Sequence, residues 1–177
     1  MENYTKNADK FPFSTKGAIK FYLRKATIED AKPIFDLSNE NLVRENSINQ
    51  KKIMWENHLK WLPNKLCDNN CFYLLAFTPE NLFIGQIRFD VSEKETTIGI
   101  SITKEFRGKG LSADILIHSA GLFFKNYPQV KNIVAKINKD NEASLNTFIK
   151  AGYIYSHKES INNNDFLVFK LVRNNEN

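Results

Sequence analysis

The stretch that decides the fold is Glu105-Phe106-Arg107-Gly108-Lys109-Gly110-Leu111-Ser112. It follows an alternating run, Ile98, Ile100 and Ile102, and precedes a long apolar segment from Leu111. That places it between a strand and a helix. Gly108 and Gly110 let the backbone approach a ligand closely and aim several N–H groups one way. The helix from Leu111 adds its dipole and its unpaired first-turn N–H groups. Together these features suit an anion such as a pyrophosphate, with Arg107 and Lys109 adding mobile positive charge. Glycine pairs also occur in ordinary tight turns, so a plain strand-to-helix connection stays open on this stretch alone. It is not a Gly-x4-Gly-Lys-Ser/Thr phosphate loop. Nor is it a dinucleotide fingerprint, because the third glycine is missing.

Outward from this loop the pattern is mixed. A strand is predicted over 19–24, then a helix to about 39 opened by Thr27 with Asp30 three residues on, as in a capping box. Ile53, Trp55, Leu59 and Leu62 mark a second amphipathic helix that Pro63 helps to end. Strands at 72–77, 82–90 and 96–103, separated by TPEN and SEKE, read as an antiparallel meander. After the glycine loop come a helix over 111–127, a strand over 132–137, a helix over 141–151 and closing strands at 153–157 and 166–171. The order β-α-α-β-β-β-α-β-α-β-β is mixed α/β and argues against a doubly wound parallel sheet.

Bulk properties narrow the function. The 177 residues suit one domain, expected over 19–173 behind a polar leader, 1–18, that Pro12 and Gly17 interrupt. That leader lacks the apolar core of a secretory signal, and no apolar run approaches the ~20 residues of a membrane span. The expected place is the cytoplasm. The net charge of +5 is scattered among acidic residues, with no nucleic-acid motif, so a small anionic ligand is the simpler partner. Cys67 and Cys71 lie far in sequence from His58, His118 and His157. A zinc site needs about four ligands, so two free thiols and no metal are expected.

A second segment, Asn138-Lys139-Asp140-Asn141-Glu142-Ala143-Ser144, precedes Phe148-Ile149-Lys150-Ala151-Gly152-Tyr153. Asn141 is a good N-cap, Ser144 lies one turn on, and Gly152 suits the end of that helix. Simple capping accounts for part of this; an exposed amide and hydroxyl could also hold a linear cofactor. The two segments together resemble the acetyl-CoA signature of the GNAT superfamily of N-acetyltransferases. The resemblance runs from about 19 to 171 and includes the element order. It implies a central, mostly antiparallel, splayed sheet of about seven strands with about four helices. It implies that the strand before the loop carries a bulge and splays from its neighbour. The backbone of Ile100 and Ile102 would then hold the thioester of acetyl-CoA. The N–H groups of Arg107, Gly108, Lys109, Gly110, Leu111 and Ser112 would hold its pyrophosphate, and Asn141 and Ser144 would flank the pantetheine arm. Two positions depart from the family pattern: Glu105 stands where Gln or Arg is usual, and Phe148 where a tyrosine often serves as general acid. Phe148 keeps open a non-catalytic acetyl-CoA-binding module.

On the acceptor side, Asn39, Val43-Arg44, Asn46-Ser47, His58-x-x-Trp61 and Gly85-Gln86-Ile87-Arg88-Phe89-Asp90 resemble N-acetyltransferases of nucleotide-linked amino sugars, as in the pseudaminic acid pathway for flagellin. These motifs overlap with those of protein N-terminal acetyltransferases, including ribosomal-protein ones, which remain an alternative. In the amino-sugar case Arg44 would grip a nucleotide phosphate, or is a solvated loop residue, and Asn46 and Ser47 would contact the acceptor. Trp61 would stack on base or sugar, or sit in the core. Gln86 and Arg88 share a strand face that lines the cleft or is merely wet. His58 would take the amine proton, directly or through water, or be a hydrogen-bonded helix residue. A homodimer through the closing strands is compatible with this fold.

Overall fold

Alternation along the middle strands gives the sheet two unlike faces. The computed structural model describes residues 10–14 and 19–173. These form β1 (Phe11–Ser14), β2 (Lys20–Lys25), α1 (Ala31–Ser38), α2 (Asn41–Glu45), α3 (Trp55–Cys67), β3 (Cys71–Phe77), β4 (Phe83–Val91), β5 (Thr96–Ile102), α4 (Leu111–Asn126), β6 (Asn132–Asn138), α5 (Glu142–Lys150), β7 (Ile154–Ile161) and β8 (Asn164–Val172). One sheet runs β1-β2-β3-β4-β5-β6-β8-β7. Its neighbours are antiparallel except β5 and β6.

In β4, Ile87 and Phe89 are fully buried, while Gln86, Arg88 and Asp90 on the opposite face are half-buried. The apolar face packs under α4, where Phe89 stacks on Phe123 with ring centroids 4.4 Å apart. The other face is covered by α1 and α3 through Ile34, Leu62, Tyr73 and Leu75. Each large side chain buried this way contributes about 1.5–3 kcal/mol, so both faces hold the sheet. The first helix starts as expected. The Asp30 carboxylate accepts the Thr27 N–H at 2.7 Å and the Thr27 hydroxyl at 3.0 Å. The Arg24 fork donates to both Asp30 oxygens at 2.7 Å, which ties the end of β2 to α1.

Four features differ from the sequence expectation. Residues Phe11–Ser14, placed in the leader, form an edge strand on β2. Pro12 is tolerated there because an edge has no second ladder to feed. Phe13 fixes that strand by stacking on His118 of α4 at 4.1 Å. Asn41–Glu45 adds a short helix, α2, which has no buried residue and so no apolar signal. Pro63 lies inside α3 instead of ending it. It leaves the Leu59 carbonyl without a donor, and the exposure of Leu59 gives that carbonyl to water. Finally, β7 and β8 form a longer hairpin around Asn162 and Asn163, whose φ values of 50° and 63° suit a type I′ turn. The described residues therefore form one eight-stranded sheet and five α-helices.

The sheet opens at one place. β5 pairs with β4 along its whole length, from Gly85↔Ile102 to Val91↔Thr96. It pairs with β6 only at Thr97↔Val134. β6 is instead held by β8 from Asn132↔Val172 to Asn138↔Phe166. The two parallel strands thus separate toward their C-terminal ends. The β5 ladder is regular, so the expected bulge in this strand is not found. The separation comes from β6 following β8.

Candidate active site

The loop from β5 to α4 begins with a tight turn, Lys104–Phe106. Gly108 and Gly110 then take φ values of 72° and 77°, and α4 starts at Leu111. An L side chain is strained there. A Cβ at either glycine would meet no atom within 4 Å, so both face open space. The N–H groups of Gly108, Lys109 and Gly110 donate to no backbone acceptor among the described residues. With Leu111 and Ser112 at the helix start, this arrangement could cradle an anion. The Arg107 N–H, in contrast, reaches back to Lys104 O at 3.4 Å. The Arg107 side chain is not mobile charge either. Its Nε donates to Ile102 O at 2.8 Å and its Nη2 to the Glu40 carboxylate. Lys109 lies over the Phe106 ring at 5.1 Å.

Across the opening, β6 delivers α5. The Asn141 side chain accepts the Ser144 N–H at 3.1 Å, so the cap is real; both residues are half-buried, and their amide NH2 and hydroxyl have no side-chain partner among the described residues. Phe148 is buried edge-on against Tyr153, with centroids 4.9 Å apart. The Tyr153 hydroxyl is buried without a hydrogen-bond partner, and burial raises its pKa, so the phenol stays protonated.

The polar face of β4 carries the rest. Tyr73 donates to the Gln86 carbonyl at 2.5 Å, and Gln86 donates to the Ser38 hydroxyl at 2.9 Å. The Arg88 guanidinium lies over Trp61 at 5.1 Å and over Tyr73 at 5.8 Å, with its Nε on Asp90 at 2.7 Å. Asp90 also accepts from Lys65 at 2.9 Å. Gly99 on β5 lies opposite Arg88, is exposed, and has open space where a Cβ would be. Cys71 is a poor nucleophile, because burial first, then Asp90, pushes its thiol up to about 11.

Several expected acceptor residues have other tasks. Arg44 donates through Nε to Ser38 O at 2.6 Å, through Nη1 to Asn49 O at 2.9 Å and Lys51 O at 3.3 Å, and through Nη2 to the Ser47 hydroxyl at 3.0 Å. All three guanidinium nitrogens brace the loop, so Arg44 does not present a phosphate fork. Ser47 donates to Val43 O at 2.6 Å and Asn46 to Leu42 O at 2.8 Å. Asn39 bonds both the Ile53 carbonyl and N–H, at 3.0 and 2.8 Å. His58 is 2% exposed, and its Nε2 lies 2.8 Å from Ala31 O. A carbonyl only accepts, so Nε2 carries the proton. Desolvation lowers its pKa, and the Ala31 bond opposes that only in part. His58 is therefore a packing residue between α3 and α1, out of reach of a substrate amine. Among the described residues, no three His, Cys, Asp or Glu side chains converge as a metal site would need. No described helix is long and apolar enough to cross a membrane.

Residues 20–154 match the acetyltransferase (GNAT) domain. The chain belongs to the GNAT acetyltransferase family. It is accordingly an N-acetyltransferase that uses acetyl-CoA. Solved structures share its fold. One is spermidine N-acetyltransferase from Vibrio cholerae in complex with CoA and spermine, 14% identical with a TM-score of 0.78, covering 86% of this chain and 95% of that one. Another is an uncharacterized protein from Bacillus halodurans, 17% identical with a TM-score of 0.78, covering 94% and 92%. A third is aminoglycoside acetyltransferase AAC(6')-Ib with coenzyme A, 18% identical with a TM-score of 0.73, covering 86% and 95%. No curated protein matches the sequence.

Sequence reasoning missed Glu40, Tyr73, Ser38 and Gly99 in this GNAT domain. Strand pairing could have found Tyr73 and Gly99, since both lie opposite Arg88 in register. Nothing local marks Glu40 or Ser38, whose partners are 67 and 48 residues away.

Proposed function

We propose that this GNAT enzyme acetylates the primary amine of a nucleotide-linked amino sugar in the cytoplasm, by direct attack while both substrates are bound. One observation carries the acetyl-CoA half. The β5–β6 separation ends beside two left-handed glycines whose N–H groups have no backbone acceptor among the described residues. The opening suits a linear arm, and the cradle suits its pyrophosphate. Ile100 and Ile102 lie on the separated strand, Gly108, Lys109, Gly110, Leu111 and Ser112 form the cradle, and Asn141 and Ser144 flank the arm.

The acceptor half rests on the polar face of β4. Arg88 with Trp61 and Tyr73 offers a flat cationic platform for a ring and an anionic group. Gln86 fixes the depth of that cleft through Tyr73 and Ser38. The carboxylates there are already paired, Asp90 with Arg88 and Lys65, and Glu40 with Arg107. Such a cleft favours a hydroxyl-rich anionic acceptor over a polycation.

Acetyl-CoA supplies an activated thioester carbonyl. Backbone N–H groups of the separated part of β5 stabilise the negative charge that develops on the carbonyl oxygen. The platform positions the neutral amine, and positioning supplies much of the acceleration. The new C–N bond forms as the C–S bond breaks, and the amine proton leaves to water. The thiolate needs no acid at Phe148, because a thiol with a pKa near ~8.5 is a good leaving group.

The test is calorimetric titration with acetyl-CoA on wild type and Gly110→Trp, then thiol release over UDP-linked amino sugars, spermidine and N-terminal peptides. Binding lost in the variant, with turnover on the amino sugars, supports the proposal. Turnover only on peptides or spermidine reassigns the acceptor, and no acetyl-CoA binding by wild type overturns the whole reading.

A further inference from the structure

A groove of about 510 Å³ lies between the loop after α2 and the β7–β8 turn, lined by Ile48, Asn49, Gln50, Lys51, Asn162 and Asn164. Both banks are anchored beside the opening in the sheet. On one side Arg44 holds the carbonyls of Asn49, Lys51 and Ser38, and Ser38 in turn meets Gln86 of β4. On the other, the Lys139 N–H donates to Asp165 O at 3.1 Å, which sets the β7–β8 turn against the C-terminal end of β6. The groove therefore lies between one bank tied to Gln86 of β4 and another tied to the end of β6, on the side where the acetyltransferase reading brings the acetyl group and the amine together.

Its chemistry is one-sided. The lining holds four amides, one cation, one apolar side chain and no carboxylate. Lys51 makes no ion pair among the described residues, whereas Asp165, next to Asn164, is paired with Lys158 at 2.7 Å and Lys139 at 3.5 Å. The Gln50 amide donates to Glu45 O at 2.9 Å, which leaves its carbonyl for a ligand. Amides donate and accept, as hydroxyls do, and a lysine matches a phosphate.

We infer that this groove is a specificity subsite for the hydroxyl- and phosphate-bearing part of the acceptor, and that Lys51 selects against cationic acceptors. This rests on the acetyltransferase reading above and adds the residues that choose the substrate. Lys51 is exposed, so reversing its charge leaves the fold intact.

The probe is UDP-N-acetylglucosamine, which has no free amine and so reports binding without turnover. It is titrated into CoA-loaded wild type, Lys51→Met and Lys51→Glu. Wild type binds; Lys51→Glu binds about ten-fold more weakly and Lys51→Met falls between, while acetyl-CoA affinity is unchanged. In thiol-release assays the ratio of kcat/KM for spermidine over a UDP-linked amino sugar rises about ten-fold in Lys51→Glu. Equal probe binding by wild type and Lys51→Glu overturns the subsite, as does no probe binding by a wild type that binds acetyl-CoA. If acetyl-CoA itself does not bind, both readings fall.

Discussion

Arg107, in the glycine loop between β5 and α4, pairs with Glu40 at the start of α2, 67 residues earlier. Its Nε also holds the last carbonyl of β5 at Ile102. One side chain thus joins the glycine loop, the end of the separated strand and the start of α2. Glu40→Gln removes the ionic half of this link. The expected result is an acceptor KM raised about three- to ten-fold, with acetyl-CoA affinity equal or slightly tighter, because Arg107 is freed toward the phosphates. Steady-state kinetics with calorimetry on the same variant checks both signs. A loss of acetyl-CoA affinity would show that Glu40 serves the cofactor loop instead.

Gly99 and Gly85 lie on neighbouring strands and predict opposite outcomes. A Cβ at Gly99 meets nothing within 4 Å, so Gly99→Val should fold normally and obstruct the space beside Arg88. A rise of about ten-fold or more in acceptor KM with unchanged acetyl-CoA binding is expected. A Cβ at Gly85 would lie 2.3 Å from Ser101 O and 2.9 Å from Ile102 Cδ1. Gly85→Ala should therefore lose about 1–3 kcal/mol of stability, seen as a lower midpoint in urea.

His58→Ala separates packing from catalysis. Losing the buried ring and its bond to Ala31 should destabilise by about 2–4 kcal/mol, while kcat per folded enzyme changes less than about two-fold. The His58 pKa is lowered in the fold. Its contribution is therefore complete above the ordinary value near ~6.5 and is lost as pH falls through the lower folded value. A kcat fall of a hundred-fold in folded His58→Ala would restore this residue as the base.

Asp30 predicts an acid-side loss. Burial raises its pKa, but the Arg24 hydrogen bonds and the Thr27 N–H outweigh burial, and the net value is lowered. Its stabilisation is full above the ordinary carboxylate value near ~4 and disappears as pH drops through the folded value. Asp30→Asn should lose about 2–4 kcal/mol at pH 7 and flatten the acid side of the stability–pH curve. Denaturant melts of both proteins from pH 3 to 7 measure the difference.

The amino-acid sequence by itself determined the order of the elements from β2 onward apart from α2, the two left-handed glycines and the cap at Asn141, because each is written in local chemistry. Alternation places Ile98, Ile100 and Ile102 on one face, positive φ demands Gly108 and Gly110, and a helix start wants an amide at Asn141. The tasks of polar side chains were not legible there. Arg44, Asn46 and Ser47 look like ligand groups in a polar loop, yet they close hydrogen bonds within it. His58 looks like a base, yet Phe35, Trp55 and Trp61 enclose it. Only tertiary structure decided these roles, since a polar group serves whichever partner the fold brings within about 3 Å and a substrate meets only what is left over. The same holds for the opening between β5 and β6, which depends on β6 following β8 rather than on any residue of β5.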